Sequence, residues 1–517
     1  MKRFVCIHGH FYQPPRENPW TGAIERQPSA GEDHDWNCRI ARECYQPNGR
    51  ARVVNDKNET IATVNNYAWI NFNFGPTLLT WYERHFPDDY RRLIEADLES
   101  ARRLEGHGNA IAQAFNHIIL PLANGRDQVT QVRWGIADFR YRFGRHPEAM
   151  WIPETACNDR VLRILAEHEL KYAILAPSQA LRVRPLVAGG AAHLGGWLDL
   201  KDGQLDTRHS YRWFDRRPGK TAHIDLFFYH GELSQGLAFE RLMAHSPACA
   251  DRIAAAFDPK SRSAQLVSLA TDGETYGHHE PFADMGLAHL VKFELAARDI
   301  AVVNYGYYLS KHRPSWEAEL QQGPQGMGTA WSCVHGLGRW MDDCGCGSEG
   351  QSQKWRRPLR AALDWLRDRL AEVFEREGGT LLWDVWAARD DYIQVLLDSS
   401  EHSITLFLAQ HLRPDYSDDI RKKILALMEM QRLAMFMYTS CGWFFSEISG
   451  LEAVQNLRYA ARAIELAKSC SGEDFEAEFV RRLAEAPSNV EEYGDGAGVY
   501  RKLVRGGSAE AAEAQAA

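Results

Sequence analysis

LVSLATDGETYGHHEP, residues 266–281, sets the reading of the whole chain. Five apolar or small residues, LVSLA, have the composition of a short buried strand. Asp272 follows almost at once, and Gly273 and Gly277 let the backbone approach a ligand closely. In a parallel β/α barrel the chemistry lies at the carboxy-terminal ends of the strands, so an acid in this position is placed to react.

The same pattern recurs outward from this stretch. FVCI (4–7), AWINFNF (68–74), AMWI (149–152), YAIL (172–175), IDLFFY (224–229) and IAVVNY (300–305) are further apolar runs, several followed by helical periodicity. Val129, Val132, Ile136, Phe139 and Phe143, spaced by three or four, mark one face of an amphipathic helix. Strands alternating with helices predict a parallel sheet, and about seven strands fit a barrel better than an open sheet of six.

With 517 residues the chain exceeds one ordinary core, so a second domain is expected. Beyond about residue 310 the strand-like runs nearly stop. Leu359, Leu363, Leu366, Leu370 and Val373 form a helical stripe, and Ser417 offers an N-cap for a helix carrying Ile420, Ile424, Leu427 and Met428. The expected organisation is an α/β (β/α)7-type distorted barrel over 1–310, a mainly helical domain over 311–505 and a disordered tail over 506–517. DDCGCGSEGQSQ (342–353) reads as a polar, glycine-rich loop.

Composition excludes several classes. The 60 basic and 69 acidic residues give a net charge of −9 with no basic block, which argues against nucleic-acid and anionic-membrane partners. The amino terminus lacks the apolar region of a signal peptide, and no run approaches the roughly 18–20 apolar residues of a membrane span. A cytoplasmic location is expected. Ten cysteines make no disulfide scaffold; Cys38 with Cys44, and Cys344 with Cys346, match no zinc pattern with a second half, so the thiols read as buried or incidental. Sixteen Trp, 19 Tyr and 20 His suit a cleft of flat aromatic faces and neutral hydrogen-bonding groups.

A second acid sits as Asp272 does. In WIPETACN (151–158) Glu154 follows AMWI, and Pro153 ends regular pairing by removing a donor. Two carboxylates are what glycosidic cleavage requires: one attacks the anomeric carbon while the other protonates the leaving oxygen. Each charge also raises its neighbour's proton affinity. In HGHFYQPP (8–15), His8 and His10 share one face of a strand and can bind hydroxyls or a metal. GHGNAIAQAFNHIILPL (106–122) adds His107 and His117, the latter reading on its own as a satisfied core histidine.

HGHFYQP, NHIILPL, WIPET and TDGETYG, in that order, resemble the signature regions of glycoside hydrolase family 57, and GTAWSCVHGLGRW (328–340) resembles its last region. The resemblance covers roughly residues 1–360. It implies a (β/α)7 barrel followed by a helical domain closing over the cleft, and a retaining mechanism on α-glucans without a metal or other cofactor. The family includes α-amylases, 4-α-glucanotransferases and branching enzymes, so an α-glucan or malto-oligosaccharide is the implied partner. Carried across, Glu154 is the nucleophile and Asp272 the general acid/base, with carboxyl oxygens expected about 5–5.5 Å apart. His8, His10, Gln13, His117, Glu274 and His278 are then expected to bind hydroxyls, and Trp151, Trp331 or Trp340 to stack on sugar faces. Phe11 and Tyr12 depart from the family pattern by separating His10 from Gln13 and Pro14. The carboxy-terminal part, including 437–456, looks like an uncharacterised extension found on a subset of relatives, and a buried aromatic knot at a helix end is the favoured account of Trp443 and Phe444 there over a lining of the cleft with Glu447. Two other readings stay open: a metal-dependent deacetylase or mannosidase using His8, His10 and Asp272, and a non-catalytic glucan-binding protein.

Overall fold

A computed structural model describes residues 2–186, 196–201, 204–348, 350–413 and 417–506. The expected tail lies, from residue 507 on, outside the described residues. The chain forms two compact units. The first comprises the chain up to Gln13, Arg26–Phe115 and Phe139–Trp331; the second comprises Pro14–Glu25, Asn116–Asp138 and the chain from Ser332 on. The division is therefore not a single point near 310. Both excursions into the second unit leave directly after a strand of the first, where a barrel tolerates insertions.

The first unit is built on seven parallel strands: β1 (Arg3–Phe11), β2 (Asn71–Phe74), β3 (Ala112–Gln113), β4 (Met150–Trp151), β5 (Tyr172–Leu175), β6 (His223–Phe228) and β7 (Gln265–Asp272). β1 lies beside β7 in continuous register from Arg3↔Gln265 to His10↔Asp272, and on its other edge beside β2, with His8↔Asn71 and Phe11↔Phe74. A bridge from Phe72 to Ala110 leads on to β3, which pairs with β4; a bridge from Ala149 to Tyr172 leads to β5, which pairs with β6. Between β6 and β7 the circuit is held by a bond from His230 N to Ser268 O at 2.7 Å, which makes the barrel distorted rather than regular. β6 also continues into a side sheet through antiparallel Tyr211–Phe214.

Two readings of the strands need correction. IAVVNY contributes only Ala301–Val302, beside Phe4 and Val5, before Asn304 caps a helix over Tyr305–Lys311 with its side chain. The wall position belongs to β3 instead. Its sequence, AIAQAF, is short and alanine-rich, without the β-branched bias that marks a strand. Inside the wall, Cys6, Trp151, Tyr172, Ile174, Phe227, Leu266, Ala270 and Tyr305 form one buried cluster. The predicted helix spans Gly125–Phe143, with Val132, Ile136 and Phe139 buried.

The second unit is helical. The stripe Leu359, Leu363, Leu366, Leu370 and Val373 lies wholly buried on α1 (Arg356–Gly379). α2 (Asp418–Phe436) starts where Ser417 Oγ accepts from Ile420 N, and α3 (Leu451–Ser471) ends at Gly472 in the left-handed conformation at φ 80°. Trp443 is fully buried against Tyr438 with Arg360 over its ring, which is the aromatic knot expected. Among the described residues, no helix is long and apolar enough to cross a membrane. The excursions join this unit through residues far away in sequence: Tyr459 OH donates to Pro15 O, Gln455 Nε2 to Glu17 O, and Ser440 N to His117 O.

Candidate active site

Pro153 ends β4, and the two residues after it, Glu154 (φ 58°) and Thr155 (φ 49°), take left-handed backbone that costs a non-glycine residue on the order of 1 kcal/mol or more each. Such strain persists only where the surroundings hold it, and here Trp331 does so at two points. Its backbone N donates to Glu154 O at 3.1 Å, and its indole Nε1 donates to Glu154 Oε2 at 3.0 Å. Trp331 is brought there by an antiparallel bridge between Cys157 and Thr329. Gly328, at φ 108°, is required for that bridge, since a Cβ would lie 2.5 Å from Cys157 O.

Asp272 ends β7 in register with His10. Gly273 after it cannot carry a side chain, because a Cβ would stand 2.2 Å from the Phe11 ring. Asp272 holds its proton well above the usual carboxylate range: the surrounding protein desolvates it, and the charges of Glu274 and then Glu154 disfavour a further negative group. The residue keeps some exposed surface at the end of the strand, although the protein around its carboxyl screens it from bulk water. Two carboxyls whose surroundings push their proton affinities apart can divide the roles of proton donor and charged partner.

The imidazoles of β1 stand beside this pair in layers. His8 and His10 each stack on Trp151, with ring centroids 4.7 and 4.8 Å apart, and Trp331 meets Trp151 edge-on at 5.2 Å. His8 is fully buried, with Nδ1 2.7 Å from Asn71 Oδ1 and Nε2 3.1 Å from Asn73 Oδ1. Burial lowers its pKa to about 4, so it is neutral at physiological pH. His10 Nδ1 lies 2.9 Å from Asn73 Nδ2, and Asn73 Nδ2 also donates to Gln113 Oε1 at 2.8 Å. With Nδ1 accepting, the proton of a neutral His10 is on Nε2.

The remaining candidates are dispersed. Glu274 is buried, and its Oε1 accepts from Tyr12 N at 3.0 Å and Tyr45 OH at 2.6 Å; burial raises its pKa to about 7 against the pull of those bonds. It supports the strand ends rather than lining a surface. Gln13 is half-buried, its Nε2 donating to Tyr12 O. His278 pairs with Glu43 at 2.5 Å and lines a groove with Arg39, Arg50 and Phe282 that holds none of the other candidates. His117 belongs to the second unit, where burial lowers its pKa to about 3 and Nδ1 meets Ser440 Oγ at 2.6 Å. Trp151 (1 % exposed) and Trp340 (0 % exposed) present no free face, which corrects the expectation that either stacks on a sugar. Trp331 is half-buried and keeps part of its ring exposed.

Asn71, Asn73 and Tyr229 were missed. The two asparagines did leave a signal: in INFNF they alternate with apolar residues, which puts both on one face of β2. Tyr229 lies edge-on to Trp331 at 6.2 Å, and burial together with the charge of Asp272 raises its pKa. The metal reading of His8, His10 and Asp272 is disfavoured by the place of His8, fully buried with its ring stacked on Trp151 and enclosed by Asn71 and Asn73.

Against known proteins, the sequence profile described as Glycosyl hydrolase family 57 matches residues 29–320, and one described as a domain of unknown function (DUF3536) matches 352–516. α-Amylase 1 of Dictyoglomus thermophilum is 26 % identical over 107 residues, 20 % of this chain and 15 % of that protein's length. An exo-type maltose-forming amylase from Pyrococcus sp. ST04 shares the fold with a TM-score of 0.65 at 15 % identity, over 93 % of this chain and 83 % of that one. A branching enzyme from Thermococcus kodakaraensis does so at 0.54 and 13 % identity, over 95 % and 93 %. A 4-α-glucanotransferase from Thermococcus litoralis does so at 0.52 and 13 % identity, over 90 % and 60 %.

Proposed function

The chain belongs to glycosyl hydrolase family 57, and on that premise we propose that it cleaves or transfers α-linked glucans by double displacement, with Glu154 as nucleophile and Asp272 as general acid/base. The observation that carries this reading is a pair of acids at two strand ends: Glu154 follows β4 and is bonded by Trp331, and Asp272 ends β7, where burial and the charges of Glu274 and Glu154 raise its proton affinity.

Glu154 attacks the anomeric carbon as Asp272 gives its proton to the departing glycosidic oxygen, leaving a glycosyl ester on Glu154 and a negative Asp272. That carboxylate then takes a proton from water or from an acceptor sugar hydroxyl, whose oxygen displaces Glu154 and restores both groups. His10, with its proton on Nε2, binds a sugar hydroxyl beside Asp272, and Trp331 offers its ring to a sugar face. The amylase, glucanotransferase and branching-enzyme relatives support an α-glucan as substrate.

Incubation with maltoheptaose followed by product analysis tests the proposal. Shorter products alone mean hydrolysis, longer linear products mean 4-α transfer, and a new branch linkage means branching. Binding of maltodextrin with no turnover of any α-linked substrate would instead support a non-catalytic glucan-binding protein.

A further inference from the structure

Outside the barrel, the structure folds four soft ligands into one cluster. Cys333, His335, Cys344 and Cys346 each offer a donor atom, and all four atoms lie within 4.8 Å of one another. Read along the chain, Cys344 and Cys346 lack a partner pair; the turn that returns the loop onto Cys333-Val-His335 supplies it. We propose that this cluster is a structural zinc site of Cys3His type.

The geometry supports a tetrahedral ion. Cys333 Sγ and Cys346 Sγ are 3.8 Å apart, and Cys346 Sγ is 3.4 Å from His335 Nδ1. Zinc with Zn–S of about 2.3 Å and Zn–N of about 2.0 Å gives tetrahedral edges of about 3.8 Å between two sulfurs and about 3.5 Å between sulfur and nitrogen. The same 3.8 Å is nearly twice a disulfide bond of about 2.05 Å, and the cysteines are free.

The backbone is shaped for ligation. Each ligand pair is spaced by one residue and carries a left-handed glycine, Gly336 (φ 75°) just after His335 and Gly345 (φ 77°) between Cys344 and Cys346. Gly338 admits Cys344, since a Cβ there would stand 2.7 Å from the Cys344 Cβ.

A separate observation calls for negative charge in the cluster. Arg356 is completely buried, and among the described residues it meets no carboxylate. Its Nη1 lies 3.8 Å from Cys344 Sγ, and its Nη2 donates to Cys346 O at 3.0 Å and Phe445 O at 3.4 Å. A buried guanidinium without a counter-ion is costly, by several kcal/mol. Three thiolates and a neutral imidazole around a divalent ion carry one net negative charge, which neutralises it. Four protein ligands leave no open position, and three of them sulfur select zinc over magnesium or calcium, so the role is structural rather than catalytic. It fixes a glycine-rich segment that has little apolar surface of its own and that begins two residues after Trp331.

The test is metal analysis of the full-length protein purified without chelator, where about one zinc per chain is expected. Cobalt(II) added to metal-stripped wild-type protein should give the intense visible bands and thiolate charge-transfer absorption of a tetrahedral sulfur-rich site. Cys344→Ser/Cys346→Ser should fall to about a tenth of that zinc or less, whereas Cys38→Ser should keep it. The proposal is overturned by wild-type protein that holds no zinc and gives only a pale octahedral cobalt spectrum. Zinc retained at full stoichiometry in the double variant, or a Cys333–Cys346 disulfide in freshly purified protein, overturns it equally. Because the cobalt titration uses wild-type protein, misfolding of the variant leaves the result decisive.

Discussion

Replacing Glu274 by Gln should make the protein more stable above neutral pH and leave it unchanged in acid. Glu274 is 5 % exposed and its pKa is raised from 4.5 to about 7, burial outweighing the bonds from Tyr45 and Tyr12. A carboxyl with a raised folded-state pKa binds more protons folded than unfolded between those two values, so wild-type stability is lost as pH rises from 4.5 through 7. At about 1.36 kcal/mol per unit, the shift of roughly 2.5 units amounts to about 3 kcal/mol at pH 8. Gln removes the ionisation, and its carbonyl can still accept from Tyr12 N and Tyr45 OH. Calorimetric melting of both proteins across pH 4.5–8 should therefore give curves that coincide at the acid end and separate by several degrees at the alkaline end, the variant higher. A parallel pair of curves would refute the assignment of a buried, ionising Glu274. The same variant carries a kinetic consequence, because the charge of Glu274 contributes to holding the proton on Asp272. The alkaline limb of kcat/KM should move to lower pH; a limb that stays in place or moves upward would separate Asp272 from the titration that governs activity.

Three further outcomes follow from the geometry. Glu154→Ala should abolish turnover on every substrate, with azide giving a product of inverted configuration, whereas Asp272→Ala should spare activated aryl α-glycosides relative to glucan and yield a retained azide product; reversed patterns would exchange the two roles. Trp331→Phe removes the donor to Glu154 Oε2, a bond to a charged group worth about 1.5 kcal/mol or more, so steady-state kinetics should show kcat lowered about tenfold or more. In the second unit, Asp127→Ala leaves Arg389, 2 % exposed and bonded to Asp127 Oδ1 at 2.7 Å, as a buried charge without its carboxylate, and a loss of about 3–5 kcal/mol should appear as a lower melting temperature.

Features that rest on local pattern were legible along the chain. Apolar runs of four to seven residues marked six of the seven barrel strands, and the acids after AMWI and LVSLA stood at the strand ends because each follows directly where its apolar run stops. The helical stripe of α1 and the Ser417 cap were equally local, since both rest on contacts three or four residues apart. Tertiary structure alone decided what depends on residues distant in the chain. β3 is a strand because Phe72 and Met150 flank it, not because AIAQAF favours one. Trp331 rather than Trp340 meets Glu154 because Cys157 pairs with Thr329, and a chain reversal of that kind has no signature in composition. Glu274 became a buried support when Tyr12 and Tyr45, some 260 and 230 residues earlier, closed over it. The four ligands around His335 lie within 14 residues of one another, yet the two pairs become one site only when the loop folds back: spacing fixes which side chains share a strand face or a helix stripe, but a turn decides which of those faces meet.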